Sequence, residues 1–374
     1  MTTLSEPIRC QRCGLPFPFR QVSLVPRIVH ADDDGLCSFC AFHRESPVDL
    51  FDHERYRSLF EERLARVRGK YEYDALVGIS GGKDGAYVLH RLTRHYGLRV
   101  LAFTFDNGFL NPTATDKIRE LAAIYGVDHL FYHPTHLTAL YRAIIRQAAV
   151  PCHACAMGGY YVALAIQLKE RIPLFVHGRS PYQMLRNLDR SAFDDDPYFA
   201  LIRSNLDAYD STRLASAYAR MYEGIVQSLD HLALNAEERL GILDEFFSPL
   251  AKMTEDFVPE SFAYFLTEHY DEATIRSALL EEAGYACLSS HDDCLIHNAA
   301  NYLTARQYGV SVHAMETATM LRVGHASESM VHPILQKESP ERLRRQSVVD
   351  EELQLMCHTL DLTQADVAVW PTLS

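Results

Sequence analysis

Between Tyr73 and His177 one unit recurs: a short apolar run, a stretch with helical spacing, then another apolar run. The runs are Tyr73 to Ser80, Arg99 to Phe105, Asp128 to Tyr132 and Ile172 to His177. The helical stretches between them are Ala86 to Tyr96, Ala114 to Tyr125, Thr138 to Ala148 and Gly158 to Glu170, the first two closing at Gly97 and Gly126. Strands that alternate with helices of this length must pair in parallel through right-handed crossovers. The pattern predicts an α/β fold with a doubly wound parallel sheet. In such sheets a ligand lies outside the carboxyl ends of the strands.

Around this unit the chain divides into five parts. Residues 1–45 have little periodicity and four cysteines, so their order has to come from something other than an apolar core. Residues 46–190 carry the repeating unit, and 191–283 open with Asp194-Asp195-Asp196 and read as a helical insertion. Residues 284–340 return to Cys and His in C-L-S-S-H-D-D-C-L-I-H-N, followed by a helix from Asn298 to Tyr308; a charged, helical tail, 341–374, receives no role. With 48% apolar residues the 374-residue chain has ample material for a core. No window approaches a membrane span and the first residues lack the layout of a signal peptide, which predicts a cytoplasmic protein with no membrane partner. A formal charge of −13 argues against a broad nucleic-acid surface. The basic stretch from Arg55 to Lys70 reads as an amphipathic helix with a solvated face, the alternative being a local basic patch.

The first apolar run ends in S-G-G-K-D-G, Ser80 to Gly85, and turns straight into a helix. Such a turn aims several backbone N–H groups and the positive end of the helix dipole at one point, where an anion is favoured. Bare backbone at Gly81 and Gly82 lets a large anion approach, and Lys83 adds positive charge, so phosphate is the natural guest. The spacing matches neither G-x-x-x-x-G-K-[ST] nor G-x-G-x-x-G.

S-G-G-K-D resembles the pyrophosphatase loop of the PP-loop ATP pyrophosphatases, of the adenine nucleotide alpha hydrolase-like, HUP-like group. Those enzymes split ATP between the α- and β-phosphates and leave AMP on a substrate oxygen. The resemblance implies that Ser80, Gly81, Gly82 and Gly85 cradle pyrophosphate, that Lys83 neutralises it, and that Asp84 organises the loop or a Mg2+ ion. Asp106 in F-T-F-D-N-G matches the family's nucleotide-side position, and Gly178 in F-V-H-G-R-S-P the glycine loop that flanks ATP. Family members usually carry Ser or Thr where this chain has Gly85, so one hydroxyl to the phosphate is missing.

Six of the nine cysteines form three Cys-x-x-Cys pairs. Cys10/Cys13 and Cys37/Cys40 have the layout of a four-cysteine zinc ribbon, in which Zn2+ supplies folding energy and, with four sulfur ligands, has no position open for chemistry. The third pair, Cys152 and Cys155 in P-C-H-A-C, lies between the third and fourth strands; it reads as a redox pair, half of a second zinc site, or two ligands of an iron-sulfur cluster. Cys294 offers a third thiolate, with Cys287 the weaker choice. P-C-x-x-C after the third strand with a distant third cysteine resembles the sulfurtransferases of the two-thiouridine and two-thiocytidine type. That likeness implies a 4Fe-4S cluster on Cys152, Cys155 and Cys294, with an open iron carrying the transferred sulfur.

A second likeness covers more of the chain. The four-cysteine segment, S-G-G-K-D, I-P-L-F-V-H-G, N-Y-L-T-A-R-Q-Y-G and L-R-V-G-H-A-S are together similar to the N-acetyl sugar amidotransferases. These adenylate a sugar N-acetyl carbonyl and replace its oxygen with nitrogen from a partner glutaminase. Both likenesses imply one chemistry: AMP turns a poor leaving oxygen into a good one, and sulfur or nitrogen displaces it. The three further cysteines favour sulfur, delivered by a sulfur-carrier protein to a sugar, tRNA-base or small-molecule acceptor. A non-catalytic nucleotide-binding adaptor is the third reading, supported by Gly85. His153, His291 and His297 flank the cysteines as ligands, acid–base groups or bystanders, and Arg179 and Arg322 read equally as anion binders or surface ion pairs.

Overall fold

The computed structural model describes residues 8–17, 19–20, 28–148, 150–190, 202–203, 206–251, 253, 256–288, 292–337, 340–346 and 348–368. The run Asp194 to Asp196 and His291 lie outside them, as does the side chain of His153.

The centre is a five-stranded parallel sheet. Its strands are β1 (Ala75–Gly78), β2 (Val100–Phe105), β3 (Asp128–Tyr132), β4 (Leu174–His177) and β5 (Glu260–Ala263), in the order β3-β2-β1-β4-β5. Leu76 pairs with Leu101 on one side and Phe175 on the other. Alternation sends residues to opposite faces, and both faces are covered. Leu76, Leu101, Phe103 and Phe175 join the core under helices Leu137–Ala148, Pro151–Lys169 and Ser211–Leu229. Ala75, Val77, Val100, Ala102, Leu174 and Val176 pack against helices His53–Val67, Lys83–His90, Pro112–Tyr125 and Glu272–Ala283. A strand buried on both faces has no polar side, which is why the runs of β1, β2 and β4 read as continuously apolar, whereas the edge strand β3 is largely exposed.

After β3 the chain crosses to the far side of β1, so the winding reverses between β1 and β4. The carboxyl ends of these two strands form the crevice where such sheets take ligands.

β5 lies within the stretch read from sequence as a helical insertion. The four residues E-S-F-A are too short for a periodicity argument, and their first residue is charged. Glu260 is 1% exposed and serves as a clamp: Arg63 donates to it at 2.9 Å and Arg66 also binds it, joining the sheet edge to helix His53–Val67. A buried carboxylate is tolerable only when paired in this way.

The N-terminal segment has two-residue strand pairs, Ile8–Arg9 with Pro16–Phe17 and Phe19–Arg20 with Ile28–Val29, followed by helix Ser38–Glu45. Its apolar residues and four cysteines share a small core with Val310, Met315, Ala318, Val331 and Leu335, from helices Val312–Arg322 and Glu328–Lys337 and the residues before them. The tail also joins the body: Glu352 accepts from Asn298 Nδ2 at 2.7 Å and from the Ala299 amide at 2.8 Å, at the start of helix His297–Tyr308. Among the described residues no helix is long and apolar enough to cross a membrane.

Candidate active site

The turn after β1 is built to leave its amides bare. Gly82 precedes helix Lys83–His90, and no side chain caps that end, so the first N–H groups of the helix face outwards. Gly81 sits at φ +83°, a conformation that favours glycine. Its carbonyl is held from behind, accepting from Tyr285 Oη at 2.9 Å and from the Leu288 amide at 3.3 Å. The turn is thus anchored by the segment after helix Glu272–Ala283.

Lys83 and Asp84 meet at 3.5 Å, and Glu272 lies 3.7 Å from Lys83. Tyr270 donates to Asp84 at 3.1 Å. Burial raises the Asp84 carboxyl above its ordinary value, with Lys83 and Tyr270 opposing the rise.

Gly178 closes the crevice from the β4 side. A Cβ there would stand 2.9 Å from the Asp84 carbonyl carbon and 2.9 Å from its Cβ, so the two loops touch through backbone. At Gly85 a Cβ would lie 2.5 Å from the Gly78 carbonyl oxygen, because the helix starts directly against the end of β1. Glycine at this position is a packing requirement, and the room a Ser or Thr needs is absent. Ser80 leads into the turn, its Oγ beside Gly82.

Asp106 follows β2, where its carboxylate accepts from the Gly108 amide at 2.9 Å and lies 3.5 Å from His133. Next to it, Asn107 donates to Cys155 Sγ at 3.7 Å. Cys152 and Cys155 lie at the start of helix Pro151–Lys169, whereas the helical spacing in the sequence begins only at Gly158. Pro151 starts the helix, and positions three apart share a face, so both thiols project together. Cys294 arrives by another route: it bridges to Leu110, while Asn111 N donates to Asp293 O at 3.0 Å and Leu295 N to Phe109 O at 2.8 Å. These contacts stitch 293–295 onto the loop that follows β2.

Cys152, Cys155 and Cys294 all lie near the buried Tyr141, each raising its hydroxyl. Cys152 is exposed, and Cys155 and Cys294 are half-buried. The scarcity of water there pushes Cys152 and Cys294 up to about 12, each also feeling Cys155, and pushes Cys155 upwards as well. Such thiols ionise when a bound metal displaces their protons. Cys287 stands apart, its sulfur accepting from Arg276 at 3.2 Å. His297 packs on His313, ring centroids 5.5 Å apart.

The sulfurs of Cys10, Cys13, Cys37 and Cys40 all lie within 4.8 Å of one another and are buried. Four soft donors around one point suit a tetrahedral metal ion.

Past β4 and β5 a small cleft is lined by Tyr160, His177, Arg179, Met184, Ser261 and Leu266 among others. Burial, aided by Arg179, lowers His177 to about 3, so its ring is neutral; Nδ1 accepts from the Arg179 amide at 3.4 Å, leaving the proton on Nε2.

Sequence reasoning missed Tyr270, Tyr285, Glu272, Asn107 and His177. The tyrosines reach the β1 turn from nearly two hundred residues away, a distance at which local patterning is silent. Asn107 and His177 do adjoin the recognised Asp106 and Gly178.

No protein-family model matches the chain. A curated relative, an uncharacterized protein of Methanocaldococcus jannaschii, is 24% identical over 137 residues, which is 36% of this chain. The matched region spans 47% of that relative's length. Solved structures with a similar arrangement include the U34-tRNA thiolase NcsA of Methanococcus maripaludis with its 4Fe-4S cluster, at 14% identity and a TM-score of 0.33, covering 96% of this chain and 89% of that one. An NH3-dependent NAD synthetase of Campylobacter jejuni, at 12% identity and a TM-score of 0.29, covers 55% of this chain and 98% of its own. The NMN synthetase of Francisella tularensis, at 17% and 0.29, covers 52% and 92%. Likenesses this distant decide nothing about the chemistry here.

Proposed function

We propose that this chain is an ATP-dependent transferase of the PP-loop type that adenylates a carbonyl oxygen of its acceptor and then replaces that oxygen with sulfur. The carbonyl oxygen attacks the α-phosphorus of ATP, and pyrophosphate leaves onto the Gly81–Gly82 turn, where the uncapped amides and Lys83 take its charge. Asp84, which accepts from Tyr270, would hold the accompanying Mg2+, whose charge would offset that of the phosphates. Asp106 and Gly178 border the nucleotide. Sulfur then adds to the activated carbon, and AMP departs with the oxygen. The cleft past β4 and β5 is the proposed place for the acceptor, with His177 as a neutral hydrogen-bonding group.

The observation that carries sulfur over nitrogen is the convergence of Cys152, Cys155 and Cys294 at the carboxyl end of β2, from two separate segments. Three thiols match a 4Fe-4S cluster with one open iron, which when bound would supply the sulfur-carrying position. Cys152 provides the open side and Asn107 steadies Cys155. The four N-terminal cysteines take Zn2+ as a structural ion. A sulfur-carrier protein is the expected donor, and the compartment is the cytoplasm.

Anaerobic reconstitution with iron and sulfide tests this reading. The expected product is brown, and Cys152→Ala or Cys294→Ala bleaches it while zinc stays bound. Colourless protein that releases pyrophosphate with ammonia and an N-acetyl sugar would establish nitrogen transfer instead. ATP binding without turnover under every donor would make the chain a nucleotide-binding adaptor.

A further inference from the structure

The last residue of helix Val312–Arg322 is an arginine with 2% exposure, enclosed between the four-cysteine segment and the body of the protein. Its Nη1 donates to the Leu185 carbonyl at 3.2 Å, and its guanidinium lies 5.2 Å from the centre of the Phe39 ring. Nε and Nη2 are buried with no hydrogen-bond partner among the described residues. A buried guanidinium with two idle donors is costly unless an anion faces it. The charges that face it are the sulfurs of Cys13, Cys40 and Cys37, and Cys40 stands within reach of it without the alignment of a formed hydrogen bond. A second arginine closes the same contact: Arg12, between the first two cysteines, donates to the Arg322 carbonyl at 2.8 Å.

A divalent ion held by four thiolates carries a net charge of about −2, and that charge too is buried. Each half of the pair therefore supplies what the other lacks. We propose that Arg322 is the counter-charge of a tetrathiolate metal centre at Cys10, Cys13, Cys37 and Cys40, and that metal loading through Arg322 holds the Pro181–Leu185 turn behind the Gly178 loop. The proposal rests on the reading that these cysteines bind metal. The onward link is short. Arg322 grips Leu185, the turn Pro181–Leu185 is capped by Ser180 accepting from Gln183 N at 3.3 Å, and Ser180 is two residues from Gly178. The ribbon thus becomes a strut for one wall of the crevice, and Arg322 a positioning residue.

The test is metal affinity, measured by competition of the zinc-loaded full-length chain with a chromophoric chelator. Arg322→Met is expected to weaken binding about 10- to 100-fold, as loss of an outer-sphere partner does. Arg322→Lys should keep most of the affinity, and Cys40→Ala should abolish specific binding. Arg322→Met with undiminished affinity overturns the proposal. Should that variant fail to fold, the unaltered protein decides: stripping its zinc is expected to speed amide exchange at 181–188 and 312–323 as well as at 10–40. Acceleration confined to 10–40 overturns the strut. A purified chain that takes up no zinc at these cysteines overturns the metal reading itself, a failure distinct from that of Arg322.

Discussion

Gly178 rests on the backbone of Asp84, so the loops ending β4 and β1 meet without a side chain between them. A methyl group at 178 would stand 2.9 Å from two Asp84 carbons, one of them backbone, which cannot swing aside. Gly178→Ala should therefore push the loops apart, costing about 1 to 3 kcal/mol in thermal unfolding, the range for overpacking a close contact. Calorimetry should find weaker Mg–ATP binding. Unchanged affinity would mean that the crevice is not the nucleotide site.

Gly85 carries a sharper consequence. Its position matches one where the PP-loop sequences it resembles carry a hydroxyl, and that resemblance alone implies that restoring Thr strengthens phosphate binding. The geometry predicts the reverse, because a Cβ would lie 2.5 Å from the Gly78 carbonyl oxygen. Gly85→Ser and Gly85→Thr should lower the melting temperature and weaken ATP binding. A variant that binds ATP more tightly at unchanged stability would refute this account of the turn.

The sheet was legible because β1, β2 and β4 are buried on both faces and the first four strands are flanked by helices of ordinary length. The β1 turn was legible because bare glycines, a lysine and a strand-to-helix junction coincide within six residues. β5 was not, since a four-residue strand beginning with a buried glutamate is stable only through Arg63 and Arg66. Position within an element was also hidden: the helical spacing is evident only from Gly158, yet Pro151 at the first helical position starts a helix that already contains Cys152 and Cys155. Tyr270, Tyr285 and Arg322 act across long sequence separations, and their partners are visible only once the chain is folded.

Asp84 gives the site a pH dependence with a definite sign. Burial raises its carboxyl, while Lys83 and the Tyr270 hydroxyl hold it down. If the ionised form holds Mg2+, Mg–ATP affinity is present above this raised pKa and is lost as pH falls through it. Tyr270→Phe removes a donor to the carboxylate, so the midpoint of that loss should move to higher pH. Asp84→Asn should abolish AMP formation at every pH with fold and zinc content intact. An acid limb that stays in place in Tyr270→Phe would detach Asp84 from the titration.

Tyr285 tests whether the turn must be held from behind. Its hydroxyl donates to the Gly81 carbonyl at 2.9 Å from a fully buried side chain, and the Leu288 amide shares that acceptor at 3.3 Å. With the carbonyl fixed towards the core, Gly81 stays at φ +83° and the following amides point into the crevice. Tyr285→Phe keeps the ring and deletes the donor, so about 1 kcal/mol of stability should be lost, the usual net worth of one such bond. Pyrophosphate affinity should fall further than stability alone requires, because a turn freed of this bond samples orientations in which its amides no longer converge. The comparison is calorimetric, with Mg–pyrophosphate on both proteins well below the melting temperature of the variant. Equal affinities would mean that Leu288 and the glycine backbone hold the turn unaided, and that Tyr285 contributes to packing only.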